Sequence, residues 1–118
     1  MDKIDKKEKR KVIKEKVDTS HSRIKDYEAD LLYEAITDES LKDKEVKKKW
    51  QHTGWSSEGK YTRYESEKYT IRNDDQGFRI EKKSGYCDDD GQAGSYEEVF
   101  TGARQIIELL IMMFGKGK

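Results

Sequence analysis

Apolar positions along this chain are sparse, and their period changes. Over residues 3–17 only Ile4, Val12, Ile13 and Val17 interrupt a run of lysine and glutamate. Glu and Lys are good helix formers, but so thin an apolar stripe buries little. The pattern therefore predicts a charged N-terminal arm or frayed helix over residues 1–18, followed by a single domain over 19–118. Asp18, Thr19 and Ser20 are cap-type residues. After them Ile24, Tyr27, Leu31, Leu32, Ala35 and Ile36 recur at spacings of three and four, which predicts an amphipathic helix over about 20–36. Leu41, Val46 and Trp50 mark one face of a third, very basic helix ending near His52, or of a bent continuation of the second.

Beyond a loop bracketed by Gly54 and Gly59 the period becomes two. Tyr69 and Ile71 alternate with Lys68, Thr70 and Arg72, and Phe78 and Ile80 alternate with Arg79, Glu81 and Lys83. Asn73-Asp74-Asp75-Gln76-Gly77 between them is turn chemistry, so this is the clearest hairpin in the chain. Lys60–Tyr64 supplies a third strand, joined through Glu65-Ser66-Glu67, and residues 84–95 read as a glycine- and aspartate-rich loop. The last element is the most strongly patterned. Tyr96, Val99, Phe100, Ala103, Ile106, Ile107, Leu110, Met113 and Phe114 form a helical stripe. Ser95 and Glu98 have capping-box spacing, and Gly115 and Lys116 signal the stop. Gly102 is compatible either with close packing inside that helix or with a start near Thr101 and residues 96–100 extended. The expected fold is α+β: N-terminal helices, a three-stranded antiparallel sheet, and a C-terminal helix that covers the sheet's apolar face.

Composition narrows the function classes. The 118 residues hold 42% charged and 32% apolar side chains, and no run approaches the roughly 20 apolar residues of a membrane-spanning helix. The N-terminal segment has no apolar core of signal-peptide type. Cys87 is the single cysteine, which excludes a disulfide scaffold and fits a cytoplasmic location. The formal net charge of zero is a cancellation of blocks: residues 1–17 are net +4, 18–40 net −5, 41–52 net +3 and 84–100 net −5. A chain divided this way presents faces of opposite sign, which steer association and select partners.

Candidate chemistry is thin. His21 and His52 are far apart in sequence, and a nucleophilic dyad of Cys87 with either requires the fold to bring them together. No phosphate-cradling glycine loop is present, and one cysteine with two scattered histidines makes no zinc site. Asp88, Asp90 and Glu97 fall at positions 3, 5 and 12 of a calcium loop whose position 6 is Gly91, but position 1 falls on Tyr86. The expectation is therefore a protein with no enzyme activity, metal or cofactor.

Surfaces say more. The outward strand positions Lys68, Arg72, Arg79 and Lys83 outnumber the one acid, Glu81, and Trp50 and Trp55 lie near in sequence. Basic groups interleaved with aromatics suit a nucleic-acid backbone. The acidic run Asp88, Asp89 and Asp90 suits a basic partner. Leu109, Ile111 and Met112 fall off the helical stripe, so they form a homodimer seam or are wrapped by the N-terminal helices.

The helix–three strands–helix order is similar in topology to double-stranded-RNA-binding domains. The chain lacks their glycine–proline–histidine loop, and its last helix begins with Glu97 and Glu98 where those domains are basic. In its small size and charge-rich style the chain resembles phage and mobile-element accessory proteins, among them anti-defence inhibitors of the anti-CRISPR kind. The function expected from these features is a small non-enzymatic binding module that modulates or inhibits a larger protein or protein–nucleic-acid complex. The alternative is a nucleic-acid-binding regulator that uses the basic outer face of the sheet.

Overall fold

The computed structural model describes residues 5–115; Ile4 and Lys116 lie outside them. Helix α1 spans Lys6–Lys16 and helix α2 Asp26–Thr37, followed by a short 3-10 turn at Glu39–Leu41. Four strands follow, β1 (Glu45–Ser56), β2 (Gly59–Asp74), β3 (Gly77–Asp88) and β4 (Ala93–Phe100), and helix α3 (Ala103–Phe114) closes the chain. The strands form one antiparallel meander in the order β1-β2-β3-β4. The fold is α+β, with four strands where the sequence pattern suggests three. Among the described residues no helix is long and apolar enough to cross a membrane.

The expected hairpin is present, with Asp74 opposite Gly77 and Ile71 opposite Ile80. Its inward residues Tyr69, Ile71, Phe78 and Ile80 are all buried. Three other segments depart from the pattern. Residues 45–56 are strand β1 and not a third helix. Val46 and Trp50 are four apart, which fits one helix face, but four is also an even number, so both lie on one strand face with Lys48 and His52. Lysine is poorly suited to central strands, but β1 is an edge, where charge blocks further pairing. Residues 60–64 are the start of a continuous strand running to Asp74, not a separate element. Residues 93–100 pair with β3 through Phe100 opposite Ile80 and Tyr96 opposite Ser84. The capping spacing of Ser95 and Glu98 is thus a coincidence on a strand, and α3 starts after Gly102, the later of the two starts the sequence allows. The expected loop over 84–95 shrinks to the turn between Asp88 and Ala93.

The core is a single cluster between the helices and one end of the sheet's inner face. Leu32, Ile71, Ile80, Ile106 and Ile107 have no exposed surface. Helix α1 belongs to it: Ile13 and Val17 are only 2% and 6% exposed. Two side chains suffice to seat a helix when both reach the centre, which the count of apolar residues does not reveal. Its end is tied down. Lys16 Nζ donates to Asn73 Oδ1 at 3.2 Å and to the Asp74 carbonyl at 3.0 Å. The Asp18 amide donates to the Thr101 carbonyl and the Ala103 amide to the Asp18 carbonyl, at 3.2 and 2.9 Å.

An ion pair joins the helices where the pattern shows only polar residues. The buried Glu28 accepts two hydrogen bonds from Arg104 of α3, the longer at 3.0 Å, and one from the Lys25 amide at 2.9 Å. The Arg104 guanidinium holds the Glu28 carboxyl below the usual carboxylate range against the opposing effect of burial. Replacing Glu28 with alanine leaves the half-buried Arg104 guanidinium, among the described residues, with only its bond to the Arg23 carbonyl, at 2.6 Å, and hydrogen bonds to charged groups contribute about 1.5–3 kcal/mol each. Because Arg104 keeps access to water, we expect Glu28→Ala to lower the unfolding free energy by about 2 kcal/mol in urea titration. An unchanged midpoint would show that the pair adds nothing.

Leu109, Ile111 and Met112 are half-buried and pack against the core cluster.

The uncovered half of the sheet as candidate functional site

The helices cover only the end of the sheet around Tyr69, Ile71, Phe78 and Ile80. The remaining half, roughly Trp50–Ser66 with Ser84–Tyr96, projects beyond them, and the molecule is 64 Å long against 28–29 Å across. Both faces of this distal half lack a cover. It carries Trp50, Trp55, Tyr61, Tyr64 and Tyr96, five of the seven large hydrophobics that are exposed among the described residues.

Strand parity assigns each candidate residue to a face. Lys68, Arg72, Arg79 and Lys83 share the outer face with Trp55, while Trp50 points to the inner face. Sequence proximity of the two tryptophans thus misleads, because an odd separation on a strand puts side chains on opposite sides. Thr70, also outward, is buried between the flanking Glu45 and Glu81 positions.

The inner face forms a shallow cradle of about 440 Å³ lined by Trp50, His52, Arg63, Glu65, Tyr86 and Tyr96. The polar groups of His52 and Arg63 find partners inside the cradle. His52 Nε2 lies 2.7 Å from Glu65 Oε2, and the Arg63 guanidinium sits 4.3 Å from the Tyr86 ring centre. The Tyr86 ring in turn lies over Gly94, where an added Cβ would come within 2.6 Å of it. Tyr61 covers Gly54 in the same way, at 2.8 Å. These glycines exist to seat rings, a device that stabilises strand glycines. Where the cradle meets the core, Lys82 lies 2.9 Å from Glu67, which also accepts from the Tyr69 hydroxyl at 2.9 Å. Burial pushes the Glu67 carboxyl up, but these partners outweigh it and hold it below its ordinary value. Beside them the Ser84 hydroxyl is buried in the cradle floor and has no hydrogen-bond partner among the described residues.

No dyad emerges from these groups. Cys87 is on the outer face and His52 on the inner one. Ser84 and His52 share the inner face but stand two strands apart, a lateral gap of about 10 Å at the usual strand spacing.

On the outer face the arginines and lysines differ. Arg72 pairs with Asp43 at 2.7 Å and with Glu81 at 3.0 Å. Arg79 grips both oxygens of Asp74 at 2.9 and 3.1 Å and holds that carboxyl at about 2. Both guanidiniums are therefore committed to fastening the hairpin end. The lysines are looser. Lys68 lies 3.6 Å from Glu45 and Lys83 3.8 Å from Glu97, beyond hydrogen-bond length. The register also lines up residues the sequence does not connect: Lys47 is opposite Lys68, and Lys68 opposite Lys83.

The acidic run is a structured turn. Asp88 Oδ1 accepts from the Asp90 and Gln92 amides at 3.0 and 2.9 Å, and Asp89 Oδ2 accepts from the Thr62 amide at 2.8 Å. Glu97 sits on the outer face of β4 paired with Lys83. Among the described residues no group of three or more His, Cys, Asp or Glu could hold a metal ion. No family model, curated protein or solved structure matches this chain.

Proposed function

We propose that this chain is a small, non-enzymatic binding module whose recognition organ is the uncovered half of the sheet. It acts by occupying a surface of a larger protein or protein–nucleic-acid complex and so modulating or inhibiting it. The observation that carries this reading is the inner cradle. Trp, Tyr and Arg are the residues that dominate binding energy at protein interfaces, and Trp50, Tyr86, Tyr96 and Arg63 gather there around a depression with no cover of its own. Tyr96 and Trp50 are 56% and 41% exposed, an arrangement that costs solvation unless a partner covers it. The internal pairing of His52 with Glu65 suits a contact made mainly by shape and apolar area. The small, charge-rich chain favours an inhibitory role in the style of mobile-element accessory proteins.

The test is capture from an extract of the native host with immobilised protein, comparing the parent with Trp50→Ala/Tyr96→Ala. Both side chains are exposed, so the double variant should melt with the parent. The expected result is a defined protein or complex retained by the parent and lost from the variant. Equal retention by both would remove the cradle as the contact surface.

A further inference from the structure

We infer that the outer face of the distal sheet binds single-stranded nucleic acid, with its lysine row on the phosphates and its exposed rings under the bases. This deepens the reading above, on which it rests, by naming what the second face of the same half-sheet takes. A module of this kind engages a protein–nucleic-acid complex from both sides: protein in the inner cradle, nucleic acid on the outer face.

Three independent observations point there. The first is charge left over. Lys47, Lys68 and Lys83 stand side by side on three adjacent strands. Neighbours in such a row are about 5 Å apart, and like charges directly opposite one another are destabilising. The arginines nearer the helices are neutralised by carboxylates at hydrogen-bond distance. Lys68 and Lys83 have only loose partners, and Lys47, Lys49 and Lys60 have none among the described residues. A polyanion supplies the missing counter-charge, and release of its condensed ions drives the association.

The second observation is room. Next to the lysine row the register places Lys49, Ser66, Gly85 and Ser95 in line. Their short central side chains floor a trough of about 440 Å³ walled by Lys49, Tyr64 and Cys87. Gly85 is in the middle of a strand, where glycine weakens the sheet and often marks close approach of a ligand or another backbone. The protein's own packing does not require it. A Cβ at Gly85 would meet Ser66 Oγ at 3.6 Å and the Gly94 carbonyl at 3.7 Å, ordinary contacts, and its φ is not in the left-handed region. This glycine differs from Gly54 and Gly94, which are filled by tyrosine rings. What it leaves open faces the solvent.

The third is stacking surface. Tyr64 and Trp55 are 47% and 79% exposed and stand on the outer face, Tyr64 in the trough wall and Trp55 beyond it. Splayed bases of a single strand stack on such rings, whereas a duplex hides its base faces.

The experiment is fluorescence anisotropy with labelled 15-nucleotide oligothymidylate and oligouridylate and with a duplex of the same length. The proteins are the full-length parent, Lys47→Ala/Lys83→Ala, Tyr64→Ala and the inner-face Tyr96→Ala. We expect the parent to bind the single strands more tightly than the duplex, with affinity falling as salt rises. Loss of two phosphate contacts should flatten the log–log salt slope by about 1.4. Tyr64→Ala should weaken single-strand binding by about 5- to 150-fold, and the inner-face variant should bind like the parent. The inference is overturned if the parent does not bind single strands at low salt, if the duplex binds more tightly, or if the lysine and Tyr64 variants bind as the parent does. None of those results touches the inner cradle, whose failure would show separately as unchanged partner capture by Trp50→Ala/Tyr96→Ala.

Discussion

Removal of residues 1–17 is expected to abolish the cooperative unfolding transition, or to lower its free energy by about 3–6 kcal/mol. The deletion takes Ile13 and Val17 out of the core, where they are 2% and 6% exposed. Full burial of an aliphatic side chain contributes about 1.5–3 kcal/mol, and a domain of this size has only about 5–15 kcal/mol in total. It also removes the Lys16 clamp on the β2–β3 turn. That turn is shaped around α1: Gly77 has φ +118°, and a side chain there would come within 2.8 Å of the Lys16 carbonyl oxygen. Thermal melting followed by circular dichroism reads the outcome. A truncated chain that melts with the parent would show that α1 rests on a core that is complete without it. Ile13→Ala in the intact chain, with an expected loss of about 2–5 kcal/mol, separates the lost methyl groups from the lost clamp.

Ile107→Ala should cost about 2–5 kcal/mol, by the lost transfer energy and the cavity left behind. Ile107 lies at the centre of α3 with no exposed surface, in one cluster with Ile71, Phe78, Ile80 and Leu32. The cavity would open where α3, α2 and the hairpin meet, and elements held by neighbours on several sides cannot collapse to fill it. Urea denaturation should show the midpoint falling with an unchanged slope, since the same surface is exposed on unfolding. Glu108→Ala, at the adjacent exposed position, is the control and should stay within about 0.5 kcal/mol of the parent. Equal stability of the two variants would mean that α3 does not roof the sheet.

The hairpin at Tyr69–Ile80 and the inner stripe Ile106, Ile107, Leu110 of α3 are legible in the sequence because local period and global burial agree there. Strands β1 and β4 are not. Val46 and Trp50 satisfy a helical spacing as well as a strand parity, and Ser95 with Glu98 imitates a cap. In both segments the deciding energy is hydrogen bonding to a neighbouring strand, β1 to β2 on one side and β4 to β3 on the other. The basic outer face could be anticipated from Lys68, Arg72, Arg79 and Lys83, but not which of those charges are spent. Arg72 meets Asp43 and Arg79 meets Asp74 only after the chain folds back, and Lys47 joins the row only through register.

From sequence alone, the amphipathic periods determined an α+β class, an antiparallel hairpin at its centre and a C-terminal helix packed on it. Those features depend on side chains a few residues apart, whose spacing a linear pattern records. Tertiary structure decided that α1 is core, that the sheet has a fourth strand, and that half of it extends bare on both faces. It also placed Trp50 and Trp55 on opposite sides. Each of these is set by pairing between residues far apart in the chain, and a strand moved by one residue exchanges its two faces, so no local pattern could have carried them.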